Sequence, residues 1–170
     1  MLALNIPNEL ETQWLLSQGV SDEALLGTPC LRAGRVRFLD DGTFEFADDG
    51  DRALVFRVFD NGCEIDLVAW SHRKNSLATN RGVAFALGQD AIFNPATYFD
   101  GGLLRVHRTA LDWLKAERDG ICIAQPRFAY GQLRHSARLL FSDKVYAAQV
   151  KRWLQAPEPR AEFLVEQVAA

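Results

Sequence analysis

Ala53-Leu54-Val55-Phe56-Arg57-Val58-Phe59-Asp60-Asn61-Gly62-Cys63-Glu64-Ile65-Asp66-Leu67-Val68-Ala69-Trp70 is the stretch on which the fold turns. Two runs rich in β-branched and aromatic residues flank Asn61-Gly62. That dipeptide is preferred in two-residue type I′ hairpin turns, because both central positions need positive φ. With Asn61-Gly62 as the loop, Val58 faces Ile65, Phe56 faces Leu67 and Leu54 faces Ala69, giving one apolar face. The other face sets Arg57 against Asp66, Phe59 against Glu64 and Val55 against Val68. Val55, Phe59, Val68 and Trp70 then need covering by a helix, a ligand or a partner.

Upstream, Arg35-Val36-Arg37-Phe38-Leu39 and Thr43-Phe44-Glu45-Phe46-Ala47 flank Asp40-Asp41-Gly42. A two-residue loop would mix apolar and charged side chains on each face. A three-residue loop with Gly42 left-handed pairs Phe38 with Phe44, Val36 with Phe46 and Arg37 with Glu45, which sorts the faces cleanly. Together the two hairpins predict an antiparallel β-meander over about residues 35–70, unless Asp48-Asp49-Gly50-Asp51 re-routes the chain.

The flanks read as helices lying on that sheet. Asn8 and Glu11 have capping-box spacing ahead of Leu10, Trp14 and Leu15, and Ser21 can cap a second short helix ending at Gly27. Beyond the sheet, Asn80 is expected to cap a short helix over Val83, Ala84, Phe85, Ala86 and Leu87. Asn94-Pro95 reads as a cap and first helical residue. Leu103-Leu104-Arg105-Val106-His107 is a strand candidate, Thr109 with Asp112 starts a helix, and Ile121-Cys122-Ile123-Ala124 is a short apolar strand expected to join the meander. That strand–helix–strand unit is close to the minimum length for a parallel crossover, which would make the sheet mixed. Residues 127–141 fit a strand period and a helix period about equally. Ser142 then caps a helix running to about Gln155, stopped by Pro157 and Pro159, and residues 159–170 form a tail or a docked terminal element.

The expected fold class is therefore α+β: the meander, a later strand–helix–strand unit, and helices packed on the sheet, in one compact domain over residues 1–170. The composition agrees, with 48% hydrophobic and 24% charged residues, four Trp and eleven Phe. The opening residues lack the basic region and apolar run of a signal peptide, and no run reaches membrane-spanning length, so the cytoplasm is the expected location. A formal net charge of −3 lowers the expectation of a nucleic-acid partner, which would need a local basic patch. Cys30, Cys63 and Cys122 are too few and too scattered for a disulfide scaffold or a zinc site. Cys63 and Cys122, in strand-like runs, are expected to be buried as small hydrophobes.

No catalytic constellation stands out. Glu64 and Asp66 share one strand face, the arrangement of a metal-dependent nuclease or general acid–base pair, but the companion position two residues on is Val68 rather than Lys. Arg57 opposite Asp66 points to a cross-strand ion pair. The acidic turns lack the further ligands of a calcium loop. His72, His107 and His135 are dispersed, and neither a Walker loop, a Gly-x-Gly-x-x-Gly nor a Gly-x-Ser-x-Gly occurs. No metal or cofactor is called for. The most promising polar cluster is the basic loop His72-Arg73-Lys74-Asn75-Ser76 with Arg81, expected to converge on an anion. A second basic run, Arg127, Arg134, His135 and Arg138 with Phe128 and Tyr130 between them, has the composition of a stacking-plus-phosphate surface. The expectation is a non-catalytic binding or accessory module, working through protein contacts, a small ligand or a second copy. The alternative is a phosphate-, nucleotide- or nucleic-acid-directed binder or enzyme using the loop at 72–81.

Overall fold

The structure, a computed structural model, describes residues 4–155 apart from Thr28 and Ala137. The expectations for Pro157, Pro159 and residues 159–170 lie outside the described residues. The fold is α+β: a five-stranded antiparallel sheet, a second, four-stranded mixed sheet, and helices on both.

The first hairpin forms in the register dictated by side-chain sorting. Strand β1 (Arg32–Phe38) pairs with β2 (Phe44–Phe46) through Val36–Phe46, Arg37–Glu45 and Phe38–Phe44, and Gly42 has φ +81°. The chain is then re-routed at Asp48-Asp49-Gly50. Strand β3 (Asp51–Asp60) pairs with the free side of β1 rather than with β2. With β4 (Cys63–Ser71) and β5 (Ser76–Thr79), the strand order is β2-β1-β3-β4-β5. The edge strands approach each other at one end, where Thr43 bridges Thr79 and the Thr79 N–H donates to the Gly42 carbonyl at 3.1 Å. The sheet does not close into a barrel.

The Asn61-Gly62 turn forms with both residues at positive φ, but the register beyond it differs from the simple expectation. Asp60 pairs with Cys63 and Phe59 with Glu64; a bulge then leaves Ile65 without an opposite residue, and Val58 pairs with Asp66. From there every pair is shifted by one: Arg57–Leu67, Phe56–Val68, Val55–Ala69, Leu54–Trp70. A bulge inserts one residue and so exchanges the faces of all that follow. Val68 and Trp70 therefore join Leu54, Phe56 and Val58 in the core beneath the helices. Val55 lies on the opposite face with Val36, Phe44, Ala53, Ala69 and Ala78, all buried. Of the four residues expected to need a cover, Val55, Val68 and Trp70 are buried and Phe59 is half-buried beneath Arg57.

Helix α1 (Glu9–Ser17) starts with the expected capping box, Asn8 accepting from the Glu11 N–H and Glu11 from the Asn8 N–H. It buries Leu15 but leaves Leu10 in solvent, contrary to expectation. Helix α2 (Asp22–Leu26) is capped by Ser21. The segment expected to be helical before Gly88 is instead extended. Asp66 takes up its backbone N–H groups, and Ala86–Leu87 forms β6.

Asn94 caps the short α3 (Pro95–Tyr98). Strand β7 (Leu104–His107), helix α4 (Ala110–Lys115, capped by Thr109) and strand β8 (Ile121–Ile123) make the compact parallel crossover. Strand β8 joins the second sheet rather than the first, in the order β6-β8-β7-β9. The ambiguous stretch resolves into both of its readings. A 3₁₀ turn at Pro126–Phe128 leads into α5 (Ala129–Leu133), and Leu139–Leu140 forms β9, parallel to β7. Helix α6 (Lys144–Trp153) is capped by Asp143 instead of Ser142, because the carboxylate reaches the Val145 and Tyr146 N–H groups. Cys122 is buried as expected, whereas Cys63, beside the turn, is exposed. No helix among the described residues is long and apolar enough to cross a membrane.

Candidate functional site

A cleft of about 780 Å³ lies where α1 crosses the end of the first sheet. Helix α1 supplies Asn8, Leu10, Glu11 and Trp14; β1 supplies Arg35; the re-routing turn and β3 supply Asp49, Gly50, Asp51, Arg52 and Leu54. The fourth side is the turn joining β4 to β5, with Ser71, His72, Arg73 and Lys74. Ser71 pairs with Ser76, so the polar stretch at 72–75 is a tight hairpin loop rather than a free connection, with Asn75 at φ +48°.

The cleft concentrates positive charge. Arg35 stands directly opposite Arg52 in the β1–β3 register, a like-charge pair that is unfavourable on its own. Glu11 relieves part of this by bidentate contact with Arg52, with Nε to Oε1 at 2.6 Å and Nη2 to Oε2 at 2.9 Å. Burial pushes the Glu11 carboxyl upward, but Arg52, the Asn8 N–H and His72 together outweigh it and hold the group below its ordinary value. Lys74 pairs with Asp51 at 2.7 Å, and Asp49 is taken by Arg37 from outside the cleft. Arg35 donates to the Gly50 carbonyl at 3.0 Å. Among the described residues, neither Arg35 nor Arg73 has a carboxylate partner.

His72 rests on Trp14, with ring centroids 4.7 Å apart, and Trp70 lies 6.2 Å from Trp14. Burial, then the neighbouring Arg73, push the His72 imidazole below its ordinary value against the opposing pull of Glu11. Both effects favour the uncharged ring, which stands beside Trp14 as an aromatic wall of the cleft.

The structure brings His72, Arg73 and Lys74 together and separates Arg81 from them. Arg81 follows the far end of β5 and does not line the cleft. The carboxylate reading changes with the bulge. Arg57 pairs with Glu64, Nε to Oε2 at 2.6 Å, not with Asp66. Asp66 is turned inward and nearly inaccessible, accepting from the N–H groups of Leu67, Arg81, Val83 and Ala84. Neither Glu64 nor Asp66 lines the cleft. His107 lies beside the Asp119 carbonyl at 2.8 Å, on the second sheet. No cluster of three or more His, Cys, Asp or Glu among the described residues is placed to hold a metal ion.

No protein-family model, curated protein or solved structure matches the chain. The site must be judged on its own chemistry. Sequence reasoning missed Glu11, Trp14, Arg35 and Arg52 as neighbours of the basic loop. Arg35 and Arg52 face each other on strands that only the re-routing makes adjacent, so no local signal joined them to residues 72–74.

Proposed function

We propose that the protein is a non-catalytic, cytoplasmic binding module that holds a small anionic ligand, such as a phosphate ester, in the cleft between α1 and the β4–β5 turn. The observation that carries this reading is the meeting of Arg73 and Lys74 with the cross-strand pair Arg35 and Arg52 around Trp14 and His72. Arg35 and Arg73, which form no ion pair among the described residues, stand beside an aromatic wall, where guanidinium groups bind a multiply charged oxyanion by charge-assisted hydrogen bonds. An anion between them also relieves the Arg35–Arg52 repulsion. The carboxylates of the cleft are already committed to Arg52, Lys74 and Arg37, which favours binding over proton transfer.

The test is a thermal-shift titration with nucleotides, sugar phosphates and pyrophosphate at low and moderate salt. A ligand present at a hundred times its Kd stabilises the folded protein by about 2.7 kcal/mol. The Arg73→Ala/Lys74→Ala variant should lose this shift while melting close to wild type without ligand, because the Lys74–Asp51 pair is exposed and worth at most about 1 kcal/mol. An unchanged shift in the double variant, or no shift with any of these ligands, would remove the cleft as the site.

A further inference from the structure

A second basic surface lies away from the cleft and is built from two stretches distant in the chain. No Asp or Glu occurs between Asp66 and Asp90, or between Asp119 and Asp143, although the chain as a whole is acidic. The fold brings these two carboxylate-free stretches together: the Arg127 guanidinium reaches the Gly82 carbonyl at 3.5 Å, placing Arg81 beside the segment that begins at Pro126. Across the 3₁₀ turn, α5 and its C-cap, Arg127, Tyr130 and Arg134 are spaced three and four residues apart, the spacing of neighbours along a helix.

Each of these two arginines lies over an aromatic ring. Arg127 is 4.8 Å from the centroid of Phe128, and Arg134 is 5.3 Å from that of Tyr130. Arg81, Arg127 and Arg134 are all exposed, and among the described residues none takes part in an ion pair. Asp41 is within electrostatic reach of Arg127, its carboxyl held low first by its hydrogen bonds to Thr43 and also by that guanidinium. The surface is mounted rigidly. Asp66 fixes the backbone at Arg81, Val83 and Ala84, and Gln125, just before the helical segment, is tied to Gly42 and Thr79.

We propose that this face, Arg81, Arg127, Phe128, Tyr130 and Arg134, binds single-stranded nucleic acid, independently of the cleft. Guanidinium planes lying on aromatic rings offer a base a stacking platform, and the same groups meet the phosphates on either side. Single strands fit better than a duplex, whose bases are already stacked and turned away from such a platform.

The experiment is fluorescence anisotropy with labelled 12-nucleotide oligo-dT and oligo-rU at a series of salt concentrations. Wild type should bind either strand more tightly than a duplex of the same length. Each phosphate contact should add about −0.7 to the slope of log K against log salt, so Arg81→Gln/Arg127→Gln/Arg134→Gln should flatten the slope by about 2. Tyr130→Leu should weaken binding about tenfold with little change of slope, since it removes stacking and no charge. The Arg73→Ala/Lys74→Ala variant should bind as wild type does. Arg127→Gln alone gives the same reading with a smaller change of slope should the triple variant be poorly folded. The proposal is overturned by no binding at 50 mM salt, by an unchanged slope in the arginine variants, by loss of binding in the cleft variant, or by an equal preference for the duplex.

Discussion

Asp66 shows how one residue's role depends on its surroundings. Its two oxygens accept from four backbone N–H groups, with Oδ1 serving Leu67 and Arg81 and Oδ2 serving Val83 and Ala84. This carboxylate replaces the helix that the local sequence suggested for the following segment. Hydrogen bonds to a charged acceptor are worth about 1.5–3 kcal/mol each, and buried donors left without a partner carry a desolvation cost. Asp66→Ala should therefore lower stability by about 3 kcal/mol or more in chemical denaturation, with an unchanged m-value. Asp66→Asn should recover little, because its NH₂ would face two N–H donors whichever way the amide turned. A loss below about 1 kcal/mol for both would show that the segment finds other partners. As an exposed partner of Arg57, the role the uninterrupted register assigns it, Asp66 would be nearly dispensable.

Among the elements, the turns separate backbone conformation from available space. Gly62 and Gly120 both have positive φ, +76° and +82°. A Cβ on Gly62 would meet nothing within 4 Å, whereas one on Gly120 would lie 2.3 Å from the Arg105 carbonyl oxygen on β7. Gly62→Ala should cost about 1 kcal/mol, the left-handed penalty alone. Gly120→Ala should cost several times as much, since β7 and β8 must separate to admit it; melting temperatures of the two variants compare the costs directly. Similar losses would mean that the crossover can relax around the added methyl. The same elements show what could be read locally. The first hairpin's register followed from sorting Phe38, Val36 and Arg37 against their partners, and the Asn61-Gly62 turn followed from its residue types. The bulge at Ile65 did not, because apolar and polar residues alternate acceptably in both registers until the helices select which face Val68 and Trp70 occupy.

At the scale of the molecule, Gln125 joins the two sheets. Its buried amide donates to the Gly42 carbonyl at 2.6 Å and to the Thr79 hydroxyl at 3.0 Å, tying the chain after β8 to both edges of the first sheet. Gln125→Ala should lower stability by about 1–2 kcal/mol, the value of a buried hydrogen bond with its partner stranded. It should also accelerate amide exchange at Thr79, whose N–H donates to Gly42. Protection at Thr79 unchanged from wild type would show that the sheet edges hold together without this link. The candidate sites are products of the same scale. The cleft exists because β3 lies beside β1 and sets Arg52 against Arg35, and the second basic face exists because the loop after β5 reaches the segment before α5.

By itself, the sequence determined the α+β class, the two hairpin turns, the Asn8, Ser21, Asn94 and Thr109 caps, and the strand–helix–strand order of the later unit, though not that its strands run parallel. Each follows from contacts within a few residues, where turn chemistry, capping geometry and side-chain periodicity act directly on the backbone. Only the tertiary structure decided the strand order, the bulge, the burial of Asp66, and the grouping of His72, Arg73 and Lys74 with Arg35 and Arg52 while Arg81 went to Arg127. Those outcomes depend on which distant surfaces exclude water together, and side-chain burial carries no label in the sequence for the partner it will meet.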